Sequence, residues 1–291
     1  LGASGIVAGD NGTQTGLTAG TYDLTITDDN GCDLDKQFVL TEPNGLTFTT
    51  VNVLKYAQFG AGAANEVNIS CNGKSDGEID LAQIDGGVLR DNGSYKYTWT
   101  QSNGGSGLVT NDDTLSKQTG LTAGTYTVVV KDKSDVCSIT RTWTLLEPDP
   151  LEIVETISDF NGVEISCNGE NDGKIEIVVN GGTKFVAGDH SDSYNIVWST
   201  VDGAGLVAGN KVLVQDKLAP GTYKVVVTDA NGCPKEESYL IEEPVALSQT
   251  NIVSDFNGFN IECSGGSNGA ITVTPAGGTV AGNYTYTWTQ S

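Results

Sequence analysis

The sequence predicts an all-β chain made of tandem repeats, and three observations lead there. One long motif recurs: Leu17 to Cys32 reads LTAGTYDLTITDDNGC, Leu121 to Cys137 reads LTAGTYTVVVKDKSDVC, and Leu218 to Cys233 reads LAPGTYKVVVTDANGC. A second set of cysteines, Cys71, Cys167 and Cys263, is spaced 96 residues apart. No apolar run follows the 3.6-residue period of a helix. Instead Tyr22, Leu24 and Ile26 alternate with Asp23, Thr25 and Thr27, which is the pattern of a strand with one buried face.

The recurring motif justifies a strand between two turns. Gly20, Gly124 or Gly221 relieves a tight bend, and a tyrosine follows two residues later (Tyr22, Tyr126, Tyr223). Leu-x-x-Gly-x-Tyr at the start of a strand predicts a tyrosine corner, with the phenol turned back onto upstream backbone at one end of an Ig-like sandwich. Asn30-Gly31 and Asn231-Gly232 then predict hairpin turns, because Asn-Gly supports positive φ. The middle copy, Lys133-Ser134-Asp135-Val136, lacks Asn-Gly, so its turn should differ. The last strand ends at Glu42-Pro43, Glu147-Pro148 or Glu243-Pro244, where proline cannot donate to a ladder and starts a stiff linker.

The other half of the repeat is equally regular. A short strand leads to Cys71, Cys167 or Cys263, and a polar turn follows (NGKSDG, NGENDG, SGGSNG). An alternating strand then ends near Gly86-Gly87, Gly181-Gly182 or Gly277-Gly278. A variable loop leads to an aromatic strand carrying Trp99, Trp198 or Trp288, which we place in the sandwich core. The unit is about 97 residues and roughly seven strands, as expected for an Ig-like sandwich. We expect the last part of one repeat in 1–46, complete repeats in 47–148 and 149–244, and the first part of another in 245–291, together forming an extended rod. The linker before Cys71 is nine residues longer than the others and contains Tyr56 and Phe59. It reads as a surface loop. A chain that opens and stops inside repeats is expected to be an internal fragment, so its lack of a targeting segment bears on nothing.

The 291 residues carry a formal net charge of −22, with 15 Lys and Arg against 37 Asp and Glu. That balance argues against nucleic acid and anionic membrane surfaces as partners, because both need clustered cations. No apolar stretch is long enough for membrane insertion. Six cysteines in a turn-rich β chain point to disulfides and an oxidising compartment.

The combined pattern I-S-C-N-G-x-x-D-G-x-I, G-G, Y-x-x-x-W, L-x-x-G-T-Y-x-V-x-V-T-D-x-N-G-C and E-P resembles the SprB-type repeat of very large cell-surface adhesins of gliding Bacteroidota. The resemblance covers essentially the whole chain. It implies tandem Ig-like domains, export by type IX secretion and an extracellular, cell-surface place. It also implies a filament moved by the cell-surface motility machinery that grips an external polysaccharide or surface.

The residues themselves offer little chemistry. There is one histidine, His190, in a stretch absent from the other repeats, so we assign no catalytic residue. Asn72-x-Lys74-x-Asp76 and Asn168-x-Glu170-x-Asp172 space oxygens at alternate residues as Ca²⁺ loops do. Lys74 sits in a ligand-like slot and Asn268 replaces the aspartate in the last repeat, so Asp76 and Asp172 read better as turn residues. Tyr56 and Phe59 are the aromatic candidates for a sugar platform.

The cysteines admit three pairings. In an Ig-like topology Cys71 lies in the A–B turn and Cys137 in the F–G turn, at opposite ends of one sandwich. A same-repeat bridge (Cys71–Cys137, Cys167–Cys233) then has to cross roughly 20 Å of strand, against a Cα limit of about 7 Å. In a head-to-tail rod Cys71 would meet Cys233, and Cys32, Cys137, Cys167 and Cys263 would need partners elsewhere. Adjacent pairing (Cys137–Cys167, Cys233–Cys263) is the third option. The cross-repeat bridge is our working expectation, and same-repeat bridging stands beside it. The expected function is a non-enzymatic stalk of an adhesin filament, with neighbouring repeats of the same chain as the first partners. The alternative is an array of Ca²⁺-dependent carbohydrate-binding modules.

Overall fold

The structure, a computed structural model, describes residues 12–56, 66–185, 194–207, 212–280 and 282–290. His190 and Phe59 lie outside the described residues. Those described form sixteen strands and no helix. The chain divides into two compact units, Leu1–Val53 with Glu78–Thr144, and Leu54–Gly77 with Leu145–Ser291.

The first unit holds a hairpin and two three-stranded sheets. The hairpin pairs β1 (Gly20–Thr27) with β2 (Asp33–Leu40), Tyr22 opposite Phe38. One sheet has the order β3 (Thr47–Val53), β4 (Gly77–Asp85), β6 (Lys117–Leu121); the other is β5 (Lys96–Ser102), β7 (Gly124–Lys131), β8 (Ser138–Leu145). Strand β7 shows why these segments are strands: Tyr126, Val128 and Val130 are fully buried, and the residues between them are half-buried. Aromatic rings close the gap between the sheets. Phe48 of β3 meets Trp143 of β8 edge-on at 6.2 Å, and Trp99 of β5 lies 6.2 Å from Trp143.

The second unit repeats the plan. Sheet β12 (Val214–Leu218), β10 (Gly173–Asn180), β9 (Glu152–Ile157) faces sheet β11 (Asn195–Thr200), β13 (Gly221–Thr228), β14 (Pro234–Ile241). Ile175, Ile177 and Leu218 of one sheet share a core with Ile196, Tyr223, Val225, Val227 and Ile241 of the other. In Ig terms the sheets are A-B-E and C-F-G. The expected seven strands are six among the described residues, and the one without a counterpart is D. A further pair, β15 (Ser248–Val253) with β16 (Ile271–Ala276), corresponds to A and B alone.

Each tyrosine corner has a definite geometry. The Tyr223 hydroxyl lies 2.6 Å from Ala204 O and 2.7 Å from Ala219 O, and accepts the Ala204 N–H at 3.0 Å. Tyr126 is placed likewise, 2.8 Å from Thr122 O, and Tyr22 donates to Thr18 O at 2.6 Å. The glycine two residues before the ring is required by close approach: a Cβ on Gly221 (φ +148°) would sit 2.5 Å from Gly203 Cα. The tryptophans are not equivalent. Trp99 is buried, Trp198 packs half-buried against the core of its unit, and Trp288 is 60 % exposed. Placing Trp288 in a core is therefore corrected. Its counterparts pair with the Gly-Thr-Tyr strand, Trp99 opposite Val128 and Trp198 opposite Val225, and Trp288 has no such pairing among the described residues.

Removing the Tyr223 hydroxyl leaves buried backbone groups without a partner, so Tyr223→Phe should cost about 1–3 kcal/mol in urea unfolding. Tyr239→Phe should be neutral or stabilising in the same measurement. Its hydroxyl is buried without a hydrogen-bond partner, and Phe38 and Trp143 hold the corresponding place without one. Burial first, then Glu155 and Glu237, pushes the Tyr239 phenol up to about 12.

Candidate functional site at the Glu-Pro linkers and Cys turns

In the second unit the asparagine and glutamate that recur with the Cys turns and Glu-Pro linkers hold chain to chain. The segment before Cys71 is laced to the end of the strand before Glu147-Pro148. Asn68 N–H donates to Leu146 O at 2.7 Å, and Leu146 N–H returns to Asn68 Oδ1 at 3.0 Å. Four residues after Asn68, Asn72 Nδ2 donates to Pro148 O at 3.1 Å, and the Gly73 N–H donates to the Glu147 carboxylate at 2.6 Å. The set recurs 96 residues later: Asn168 Nδ2 to Pro244 O at 3.1 Å and Gly169 N–H to Glu243 at 2.6 Å. A charged acceptor for a backbone N–H makes one of the stronger hydrogen bonds available to a protein.

The next carbonyl along each linker is held by the following Gly-Gly pair. Gly182 N–H donates to Asp149 O at 2.9 Å and Gly278 N–H to Val245 O at 2.7 Å. Backbone meets backbone so closely that a Cβ on Gly181 would lie 1.8 Å from Pro150 O. Thus Pro148 O is bound from upstream in the sequence and Asp149 O from downstream.

Covalent closure comes from Cys71–Cys233, with Cα atoms 5.7 Å apart and 162 residues of separation. The turn carrying Cys233 is shaped by Asp229, whose Oδ1 accepts the Asn231 and Cys233 N–H groups at 2.9 and 2.8 Å. Its Oδ2 accepts the Thr183 N–H at 2.8 Å. Asn231 then reaches both Ser70 O and Thr183 Oγ1 at 3.0 Å. At the next repeat Thr279 Oγ1 donates to Ser166 O at 2.7 Å. Cys32, Cys137, Cys167 and Cys263 are exposed and unbridged within this chain, so neither same-repeat nor adjacent pairing forms here and the observed bridge is the cross-repeat one. The bridge joins the A–B turn of one repeat to the F–G turn of the next. Among the described residues only Cys71 and Cys233 stand in that relation.

The Ca²⁺-like aspartates are acceptors inside their own turns. Asp76 accepts the Ser70 N–H at 3.0 Å and the Ser70 hydroxyl; Asp172 accepts the Ser166 N–H at 3.1 Å; Asn268 accepts the Glu262 N–H at 3.2 Å. One acceptor oxygen does the work, which is why asparagine can stand at 268. Desolvation raises the Asp76 pKa, but the Ser70 bonds and Lys74 outweigh it and the net shift is downward. Bonds from Ser166 hold Asp172 below the usual carboxylate range. Among the described residues no group of three or more His, Cys, Asp or Glu could hold a metal ion. Tyr56, the other candidate, is bridged to Val67 and lies 3.3 Å from Asp76 through its hydroxyl.

The sequence profile of the SprB repeat matches residues 63–104, 160–203 and 259–291. The chain carries SprB repeats. Each match covers the segment that contains the Cys-Asn-Gly-type turn, the Gly-Gly pair and the aromatic strand, so one side of the linker contacts (Asn72, Gly73, Asn168, Gly169, Gly182 and Gly278) lies inside a matched segment and the Glu-Pro side lies outside it. SprB repeats form a structural repeat family associated with cell-surface proteins. No curated protein matches the chain. Among the described residues no helix is long and apolar enough to cross a membrane. The contacts of the Glu-Pro glutamate and of the Gly-Gly pair do not follow from the motifs taken one at a time. Both recur with the Cys turn, and that co-recurrence was the available clue.

Cys71→Ser should lower stability by on the order of 4 kcal/mol, because the bridge closes a very long loop; denaturant unfolding with and without reductant checks this. The aspartates give a pH test. A carboxylate whose folded pKa lies below its unfolded value of 3.8 contributes fully above 3.8, and the contribution disappears as pH falls through the folded value. Asp172→Asn keeps the acceptor and removes the titration. It should therefore lose less stability than the parent between about pH 5 and about pH 2, measured by thermal melts across that range.

Proposed function

We propose that this chain is a non-enzymatic stalk segment of a large cell-surface adhesin filament, used in surface attachment and gliding motility and placed outside the cell after type IX secretion. One observation carries the reading. The side chains that recur at repeat spacing, Asn72 and Asn168, Glu147 and Glu243, Asp76 and Asp172, bind this chain's own backbone. A reader module would spend its repeated residues on a ligand, whereas a spacer spends them on itself. The loops that remain differ in length and sequence between repeats. The partners on this reading are neighbouring repeats, the motility machinery at the cell surface and, at a site elsewhere in the filament, an external polysaccharide or surface. No cofactor is needed, Ca²⁺ included.

Antibody raised against the chain should label intact cells of its source organism, and the label should be lost after brief external proteolysis. Labelling only after permeabilisation would overturn the extracellular placement. Thermal melts with Ca²⁺ and with chelator should coincide. A melting point raised by several degrees in Ca²⁺ would instead favour the carbohydrate-module alternative.

A further inference from the structure

The two sulfurs of the Cys71–Cys233 bridge have different surroundings. Cys233 is 8 % exposed, while Cys71 is half-buried. Cys233 Sγ lies 3.4 Å from Ser70 O, and the Cys233 N–H is spent on Asp229 Oδ1 at 2.8 Å. The side-chain donor of that turn, the Asn231 amide, is spent on Ser70 O and Thr183 Oγ1, both at 3.0 Å. Asp229 and Thr183 are each 1 % exposed. Cys71 has the opposite setting. Ser70 Oγ lies 3.6 Å from Cys71 Sγ, and Lys74 Nζ donates to that oxygen at 3.2 Å. The Ser70 hydroxyl also donates to Asp76, with which Lys74 pairs at 3.6 Å.

Thiol–disulfide exchange has a direction. A thiolate attacks one sulfur and the other leaves as a thiolate, so the rate depends on access to the first and on the stability of the second. Attack on Cys71 expels Cys233 as a thiolate into a buried place. There it meets the Ser70 carbonyl oxygen and the Asp229 carboxylate that already holds its own N–H. Burial and like charge both oppose that thiolate. Attack on Cys233 instead releases Cys71 beside a hydroxyl backed by an ammonium, which is the favourable direction. With the turn seated, the sulfur within reach has the poor leaving group, and the sulfur opposite the good leaving group is covered.

The Asn231 turn supplies the cover. Its amide ties it to Ser70 O, the carbonyl before Cys71, and to Thr183, which follows the Gly-Gly pair of its own repeat. Losing that seat breaks the side-chain bonds of one turn, so it is more frequent than unfolding of the sandwich that carries the turn.

We propose that Cys71–Cys233 is a gated disulfide: closed to thiol reductants while the Asn231 turn is seated on Ser70, and open to exchange at Cys233 once the seat is lost. The reductant is a dithiol. One of its thiolates attacks Cys233 Sγ; the new sulfur–sulfur bond forms as the old one breaks, and Cys71 leaves as a thiolate that takes a proton from water. The second thiolate of the same molecule closes a cyclic disulfide and releases Cys233. The dithiol gives up two electrons and the bridge takes two. The gate follows from the geometry of the junction whether or not the chain is a stalk.

The test measures the rate at which dithiothreitol reduces the bridge in the whole chain, with Cys32, Cys137, Cys167 and Cys263 alkylated beforehand. Timed samples are acid-quenched and mapped by mass spectrometry. The parent should react roughly a hundredfold more slowly than oxidised glutathione under the same conditions. Asn231→Ala and Asn231→Asp both remove the bond to Ser70 O, and each should raise the rate more than about tenfold. Leu218→Ala weakens the core at the other end of the same sandwich, and should change the rate less than about threefold. With glutathione as reductant, the trapped intermediate should carry glutathione on Cys233 and a free thiol at Cys71. A parent rate equal to that of oxidised glutathione overturns the gate, as does a rate that Asn231→Ala and Asn231→Asp leave unchanged. Leu218→Ala accelerating reduction as much as Asn231→Ala would mean that global unfolding sets the rate, and glutathione on Cys71 would reverse the direction; either result sinks the proposal.

Discussion

Proline at 148 and 244 removes a backbone donor at the point where one repeat gives way to the next, yet the carbonyls around it still need partners. Everything else in the second unit is arranged about that requirement. Asn72 and Asn168 reach forward across more than seventy residues to the proline carbonyls, and Gly182 and Gly278 reach back to the carbonyls that follow. The glutamate before each proline receives a turn N–H that would otherwise face outward. A linker that looks short and stiff in sequence is thus fixed from both sides by hydrogen bonds, and proline contributes by having no alternative bond to make.

Electrostatics has a smaller part. A net charge of −22 repels itself, and the lysines answer it with pairs such as Lys224–Glu236 and Lys117–Glu78. These are surface pairs, each worth well under about 1 kcal/mol. The carboxylates that matter structurally are those aimed at backbone N–H groups, Asp229 and Asp76 among them, where the charge is spent on one directed bond.

Local rules made much of this legible. The Tyr corner, the alternation of Tyr223, Val225 and Val227, and the glycine that lets Gly203 approach all follow from neighbours within a few residues. The middle turn, which lacks Asn-Gly, does differ: it is one residue longer and puts Asp135 at φ +59° where Gly232 has +81°. Long-range pairings were not legible. Glu147 reads as a polar residue before a strand stop, because its partner at Gly73 is 74 positions away. Asn72 looks like an oxygen ligand by spacing, yet it acts through its nitrogen. Gln118 and Gln215 sit in short strands with no obvious purpose. They prove to be buried and to hold the backbone of Val109 and Val207 in both directions. The cysteine alternatives could be narrowed by strand length but not decided, since the choice depends on what lies beyond one sandwich.

The cross-repeat bridge also decides where tension runs. A pull applied outside residues 71 and 233 passes through the sulfur–sulfur bond, and the polypeptide between them, 162 residues of separation, hangs slack beside it. At roughly 3.5 Å per extended residue, about 570 Å of contour is kept out of the load path. The hydrogen bonds at Glu147-Pro148 lie within that bypassed stretch and do not bear the force, and the hidden length enters the path only when the bond is reduced.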